Sequence, residues 1–311
     1  METKKRRSTK IILIDILLLI IIGVCIAMST LIILDANNIN KDYNELKNNL
    51  NELKKEVNDK KEKLNDINKT IADYEKIDSN IESTKLSYYS NIKKLEDLIV
   101  DGKSDKKIAY LTIDDGPYFL SYEFLKVLDK YDILATFFTI GTGKKNCYDN
   151  KSIDCYPLYQ EEAKRGHTMA NHTFSHAING SLYKSADNFI EQVKKQEQLI
   201  EEQTGVKTNI VRFPGGSGTA GKLKNDIIAK LRENGYGWAD WTSSIGDGGN
   251  LKTVEQGMSN FKNSINSKIE VILMHDYSRV SLKMLPDMIK YLRDNGYYLF
   301  PLFYESRAVN K

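Results

Sequence analysis

Apolar and polar positions change rhythm twice along the chain. Residues 11–34 read IILIDILLLIIIGVCIAMSTLIIL, and from Ile16 to Leu34 no charged residue interrupts. At about 1.5 Å per residue such a run crosses a hydrocarbon core of roughly 30 Å, so the pattern predicts a transmembrane helix over 11–34. The next rhythm covers 36–100, which holds neither proline nor glycine. Apolar residues or tyrosine recur there in a heptad. The a positions run Tyr43, Leu50, Val57, Leu64, Ile71, Ile92 and Ile99, and the d positions Leu46, Leu53, Ile67, Tyr74, Ile81, Tyr88 and Leu95. Lys60, Asp78 and Lys85 interrupt the series. The period predicts a coiled-coil stalk over 36–100, which could pair as a homodimer through its seam; the alternative is a helical hairpin folding back on itself. DGKSDKK, residues 101–107, reads as a linker.

Beyond the linker the pattern alternates between two periods. Short β-branched or aromatic runs predict strands at 108–114, 135–140, 167–171, 209–213, 236–241, 270–275 and 297–302. Helical spacing falls between them, at 121–130, 158–165, 186–203, 224–234, 253–266 and 281–294. Strands alternating with helices predict a parallel sheet in one domain, 108–305. Periodicity does not separate an open doubly wound sheet from a closed barrel.

Charge orients the first segment. Lys4, Lys5, Arg6, Arg7 and Lys10 make 1–10 a basic tail, which the positive-inside rule places in the cytoplasm. No A-x-A cleavage site follows the apolar run, so it reads as an anchor. The expected location is the cell membrane, single-pass, with everything after the anchor extracellular. A net charge of +3 over 311 residues gives no argument for nucleic acid. Cys147 and Cys155 flank the short segment CYDNKSIDC; outside a cell they could close a disulfide loop or remain thiols.

Candidate chemistry gathers at the carboxyl ends of the expected strands, the edge where parallel α/β folds assemble their sites. Asp114 and Asp115 end the first strand in LTIDDGP, His172 and His176 follow the third in NHTFSH, and Arg212 ends the fourth. Asp240 and Trp241 end the fifth, and His275 and Asp276 the sixth. On a helical turn, His172 and His176 at i, i+4 would share a face and could bind one metal, with a carboxylate from the Asp pair as third ligand. Thr173 stands where the zinc-protease motif needs Glu. The second carboxylate is then free to take a proton. His275, beside apolar Leu273 and Met274, is either a satisfied core histidine or a general acid. His167 precedes its strand on the opposite rim and reads as structural.

The stretch RFPGGSGTAGKL holds the dinucleotide spacing G-x-G-x-x-G and most of a phosphate loop. Leu223 stands where that loop needs Ser or Thr, and the glycines follow the fourth expected strand rather than the first. A nucleotide is therefore not expected. Arg212 could instead pair with a carboxylate and lower its pKa, and the small residues after Pro214 could aim a backbone N–H at a developing oxyanion.

TIDDGP, HTFSH, RFPGG and LMHD, in this order and spacing, resemble the polysaccharide deacetylase family (the NodB-homology domain, carbohydrate esterase family four) over about 105–305. The resemblance implies a distorted (β/α)7 barrel and metal-dependent removal of acetyl groups from N-acetylated sugars. Motif by motif, it makes Asp115, His172 and His176 the ligands of a divalent metal, zinc foremost, with cobalt or another divalent ion as the alternative. Asp114 matches the catalytic base and Arg212 the arginine that holds it. The Gly215 N–H matches the oxyanion donor, although the family often has Tyr there. Leu273 matches the wall of the acetyl pocket, which Trp241 could also line, and His275 matches the general acid. The sequence departs from the family in DWTSSIGDGG, where Ser244 stands in place of the Asp that tunes the general acid. That leaves Asp240 or Asp247 to supply the carboxylate. With the anchor and stalk, the expected substrate is N-acetylglucosamine of peptidoglycan. The alternatives are N-acetylmuramic acid, chitin oligomers, poly-N-acetylglucosamine, or a catalytically weak wall-binding scaffold.

Overall fold

The computed structural model describes residues 39–141 and 155–311. The basic tail 1–10, the apolar run 11–34, Cys25 and Cys147 lie outside the described residues. Among the described residues no helix is long and apolar enough to cross a membrane. The chain divides into two compact units, Met1–Ser87 and Tyr88–Lys311.

Helix α1 (Ile39–Val100) has 62 residues. Lys60 and Lys85 do not interrupt it. In the first unit Leu50 is 43% and Ile67 48% exposed, while Leu53, Val57 and Leu64 of the same face are half-buried. The second unit begins inside the same helix. Ile92 and Ile99 are buried there at 3% and 6% exposure among Ile108, Tyr110, Phe303 and Val309. This differs from the expected boundary. The apolar positions from Tyr88 to Ile99 belong to the core of the second unit rather than to a stalk seam. That unit starts before the expected linker and runs to Lys311, where Asn310 pairs with Trp238.

The second unit alternates strands and helices as the pattern requires. Its elements are β1 (Lys107–Asp114), α2 (Ser121–Lys130), β2 (Thr136–Thr139), α3 (Tyr156–Lys164), β3 (Thr168–Asn171), α4 (Ala186–Thr204), β4 (Ile210–Val211), α5 (Lys224–Glu233), β5 (Gly237–Trp238), β6 (Ser243–Ser244), α6 (Val254–Ser264), β7 (Ile269–His275), α7 (Arg279–Asp294) and β8 (Tyr297–Phe300). The helices start at side-chain caps where the sequence offers them. The hydroxyl groups of Ser185, Thr253 and Ser278 accept the N–H groups of Asn188, Gln256 and Ser281. Cys155, just before α3, is disulfide-bonded.

All strand pairs are parallel, in the order β5-β4-β3-β2-β1-β7-β6, with β8 added to the start of β1. This is a barrel's order opened between β5 and β6, which do not pair. The expected seven-stranded barrel is therefore an open half-barrel. Ser243–Ser244 forms an additional strand too short and polar to read from periodicity.

Strand β1 shows how the sheet divides the core. Its odd positions Ala109, Leu111 and Ile113 face the helices with Phe124, Phe137 and Met288. Its even positions face the concave side, which is apolar at the amino end with Ile108 and Tyr110 and turns polar at Thr112 and Asp114. Alternation at period two carries the chain from core to chemistry within one strand.

Candidate active site

Parallel registers bring the strand ends level. Asp114 of β1 lies opposite His275 of β7 and Phe138 of β2. Arg212 follows β4, and its backbone N–H donates to Asn171 O at the end of β3. Arg212 is fully buried, and all three of its guanidinium nitrogens donate. Nε donates to Ala239 O at 3.0 Å, and one terminal nitrogen donates to both Thr112 Oγ1 at 2.6 Å and Asp114 Oδ1 at 2.8 Å. The other terminal nitrogen donates to Asp240 O at 3.2 Å. Phe138 covers the guanidinium with its ring centre 4.0 Å away. The expected Arg212–Asp114 pair is thus present, but its electrostatic outcome differs. Burial drives the Asp114 carboxyl up to about 6, and the arginine only partly offsets it. Asp114 Oδ2 remains free to face His172 at 3.6 Å.

Asp115, His172 and His176 meet as expected, with ligand atoms within 4.8 Å of one another. Asp115 Oδ1 lies 3.4 Å from His172 Nε2 and 3.2 Å from His176 Nε2. The two histidines do not share a helical turn; they stand in the loop after β3. Their proximity comes from backbone geometry. Thr173 and His176 adopt left-handed φ of 65° and 49°, and Asp115 adopts 73°. Non-glycine residues rarely accept that region, and such strain gathers at functional sites. Asn171 holds the turn, accepting the Thr173 N–H on Oδ1 while Nδ2 donates to Val193 O.

These three residues fit a divalent cation. Asp115 Oδ1 is buried and has no hydrogen-bond donor, a costly arrangement for a carboxylate unless a cation satisfies it. His172 Nδ1 lies 2.9 Å from Arg212 O. A carbonyl only accepts, so Nδ1 carries the proton and Nε2 offers its lone pair to the triad. Burial, reinforced by His176, also holds His172 far below its usual pKa and keeps it neutral. Two imidazole nitrogens and one carboxylate match the donor set of zinc sites that retain an open position.

His275 answers the question left by Ser244. Asp247, in the loop after β6, lies with Oδ1 2.8 Å from His275 Nδ1, and its Oδ2 accepts the His275 backbone N–H at 2.7 Å and Ser281 Oγ at 2.5 Å. Burial presses the imidazole toward its neutral form. The Asp247 hydrogen bond and the charges of Asp247, Asp115 and Asp114 outweigh that and raise it to about 9. Gly248 backs the ring so closely that a Cβ there would sit 3.1 Å from His275 Cε1. Asp240 has a different role: its two oxygens accept the Ser217 N–H at 3.0 Å and Ser217 Oγ at 2.5 Å, anchoring the RFPGG loop. Ser244 Oγ accepts the Gly246 N–H, shaping the turn that carries Asp247.

The RFPGG loop ends in two left-handed glycines, Gly215 at φ 73° and Gly216 at φ 83°. Gly216 permits Trp241 to approach; a Cβ would stand 3.0 Å from its ring. The exposed Gly215 N–H donates to no group among the described residues. Leu273 is buried one pleat below His275 on the same face of β7 and lines the concave floor. His167 lies at the other rim, where Nδ1 accepts the Ala135 N–H, as its structural reading required.

Three supporting groups escaped the sequence reading. Thr112 carried a signal, since it precedes Asp114 by two on the same strand face. Ser281 and Asn171 carried none, because their roles depend on which loop folds against them.

Residues 101–237 match the polysaccharide deacetylase family. A peptidoglycan-N-acetylglucosamine deacetylase of Bacillus cereus is 31% identical over 200 residues, covering 62% of this chain and 68% of the relative. The crystal structure of the catalytic domain of peptidoglycan N-acetylglucosamine deacetylase from Eubacterium rectale is 32% identical, with a TM-score of 0.59, covering 66% of this chain and 93% of that one. A peptidoglycan-N-acetylmuramic acid deacetylase of Bacillus subtilis is 27% identical over 201 residues, covering 63% of this chain and 38% of the relative.

Proposed function

Since this chain belongs to the polysaccharide deacetylase family, we propose that it removes the acetyl group from N-acetylglucosamine of peptidoglycan in a metal-dependent hydrolysis. We place the reaction outside the membrane, with the apolar run 11–34 as anchor. One observation carries the chemistry. Asp114 Oδ2 lies 3.6 Å from His172 Nε2 and His275 Nε2 3.9 Å from Asp115 Oδ2, so a carboxylate and an imidazole both border the same three-ligand cluster.

Asp115, His172 and His176 would hold the cation. When bound, it supplies Lewis acidity to the acetyl carbonyl and to the attacking water. Asp114 Oδ2 takes the proton from that water; Arg212 fixes the carboxylate through Oδ1 and leaves Oδ2 available. The Gly215 N–H donates to the oxyanion that develops on the carbonyl oxygen. His275 Nε2 gives its proton to the departing amine, while Asp247 holds Nδ1 and supports the imidazolium. Leu273 and Trp241 provide the apolar wall against which the acetyl methyl rests. An acid of about 9 is charged at neutral pH, and a base of about 6 is ionised there, so both begin in the state the reaction needs.

The test uses the full chain in detergent, stripped of metal and reloaded with zinc or cobalt. Acetate release is measured from muropeptide-bearing glycan strands and from chitin oligomers. Metal-dependent release, with free amines appearing on glucosamine, supports the proposal. Amines on muramic acid would reassign the sugar. No release from any glycan by the metal-loaded protein would sink the catalytic reading.

A further inference from the structure

The end of the half-barrel opposite the candidate active site holds a cleft of about 880 Å³. It opens where β1 and β8 begin, between the 103–107 segment and the turn that joins α7 to β8. Its composition is neither that of a core nor that of ordinary surface. Tyr298 and Phe300, alternate residues of β8, present parallel rings, 8° apart in plane and 6.4 Å between centres. Tyr298 is 45% exposed. β8 pairs only with β1 among the described strands, which leaves one backbone edge beside this aromatic platform unpaired.

One cation stands at the platform and two lie across the strand from it. Lys106 Nζ stands 5.6 Å from the Tyr298 ring centre, while Lys107 Nζ lies 5.1 Å from the ring centre of Tyr297, on the other face of β8. Neither lysine has a carboxylate partner among the described residues. Arg293, on the facing wall, donates from one nitrogen to Tyr131 O and also has no carboxylate partner there. Of the acids lining the cleft, Asp105 is already neutralised by Lys268 at 2.9 Å, which leaves Asp132 against three unpaired cations. Aromatic faces with surplus positive charge suit a ligand with an apolar ring face and an attached acid.

We infer that this cleft is a second glycan-binding site, apart from the deacetylation site, which takes a pyranose polymer carrying carboxylates. The sugar ring lies on exposed Tyr298, backed by Phe300, with one carboxylate meeting Lys106 and those further along the polymer reaching Lys107 and Arg293 around the open edge of β8. The choice of polymer rests on the proposed function: peptide-bearing glycan strands are sugar polymers of this kind. The site would keep the enzyme on the polymer while the opposite rim acts on successive acetyl groups. A neutral glycan offers nothing to the cations and binds less well.

The test is co-sedimentation of the full chain with insoluble peptidoglycan stripped of attached polymers, beside insoluble chitin, at low and high salt. It uses Y298A/K106A, two exposed residues remote from the catalytic rim. The variant is expected to lose about tenfold in affinity for peptidoglycan at low salt, with little change for chitin, and wild-type binding should weaken with salt. KM for the polymer should rise by a similar factor while kcat and turnover of short chitin oligomers hold. Unchanged sedimentation of the variant would overturn the inference, as would an equal loss on chitin, or wild-type binding to phosphatidylglycerol vesicles but not to peptidoglycan. Sedimentation needs no turnover. Tyr298-dependent binding without acetate release would therefore sink the catalytic proposal and leave this site standing.

Discussion

The two ends of strand β1 treat buried polar groups in opposite ways. At the amino end, Tyr110 donates to Glu96 Oε1 at 2.7 Å, and the backbone N–H of Arg307 donates to both Glu96 oxygens at 3.0 Å. That carboxylate is fully enclosed and well supplied with donors. It fastens the last turns of α1 and the C-terminal segment to the sheet. At the carboxyl end, Asp114 is just as buried, yet one oxygen is withheld from Arg212, and neighbouring Asp115 Oδ1 has no donor. The first arrangement uses polar groups for cohesion. The second leaves them unsatisfied, which costs stability and creates reactivity.

Substitution should separate the two ends. Asp114→Asn keeps the shape and the Arg212 hydrogen bond but removes the base. We expect kcat to fall by about 10²–10⁴. The thermal midpoint should hold or rise, because a carboxyl raised from 3.8 to about 6 opposes folding at neutral pH. The sign follows from linkage. The folded state binds this proton more tightly, so its stabilising effect is complete below 3.8 and is lost as pH rises through about 6. A large drop in midpoint with turnover intact would erase the contrast.

Ile92→Ala, at the opposite end, should cost about 2–5 kcal/mol in denaturant unfolding of the second unit and leave kcat per folded molecule unchanged. Glu96→Ala strands the Tyr110 hydroxyl and the Arg307 N–H and should cost about 1–3 kcal/mol, again without a kinetic signature. A kinetic defect in either variant would mean that the two ends are coupled along β1.

The gentlest probe is pH. The kcat/KM profile should rise through about 6 as Asp114 ionises and fall through about 9 as His275 loses its proton, both limbs moving lower when a cation occupies the triad. Asp247→Asn removes the main support of the imidazolium, so the falling limb should shift to lower pH while the rising limb stays in place. A profile in which both limbs move equally would contradict the separate roles of Asp114 and His275.

Helix α1 repeats the lesson on a single element. Leu50, Ile67, Ile92 and Ile99 occupy the same heptad seam, yet the first two are open to solvent and the last two sit in the core of the second unit. A period of seven marks an apolar stripe and says nothing about what covers it. We expect a truncated chain starting at 101 to lose solubility, since it lacks Tyr88, Tyr89, Ile92, Leu95 and Ile99 from beneath the sheet. Recovery of the folded second unit from that truncation, by calorimetry or near-ultraviolet dichroism, would show that the helix is dispensable.

Most of the site was legible because it lies at strand ends. Strands with a period of two, separated by helices, order their carboxyl ends along one rim. Asp114, Asp115, His172, Arg212 and His275 could therefore be placed together before any contact was known. The motifs then assigned roles to each. The geometry of the histidine pair was not legible, since spacing i, i+4 suggests a helix and the chain instead uses left-handed Thr173 and His176. The carboxylate behind His275 was legible only as a choice between Asp240 and Asp247, since counting residues put Ser244 in its place; β6 and the Gly246 turn carry Asp247 to the ring.

The sequence by itself determined the alternation of elements, the metal-binding residue types and the polarity of the sheet's two ends. These follow from local periodicity and from the side chains that each chemistry requires. Only the tertiary structure decided that the sheet stays open between β5 and β6, that the end of α1 is part of the second unit, and that Asp247 rather than Asp240 serves His275. Each of these depends on contacts between residues far apart in the chain. Their free energies arise from burial and register in three dimensions, which no local pattern encodes.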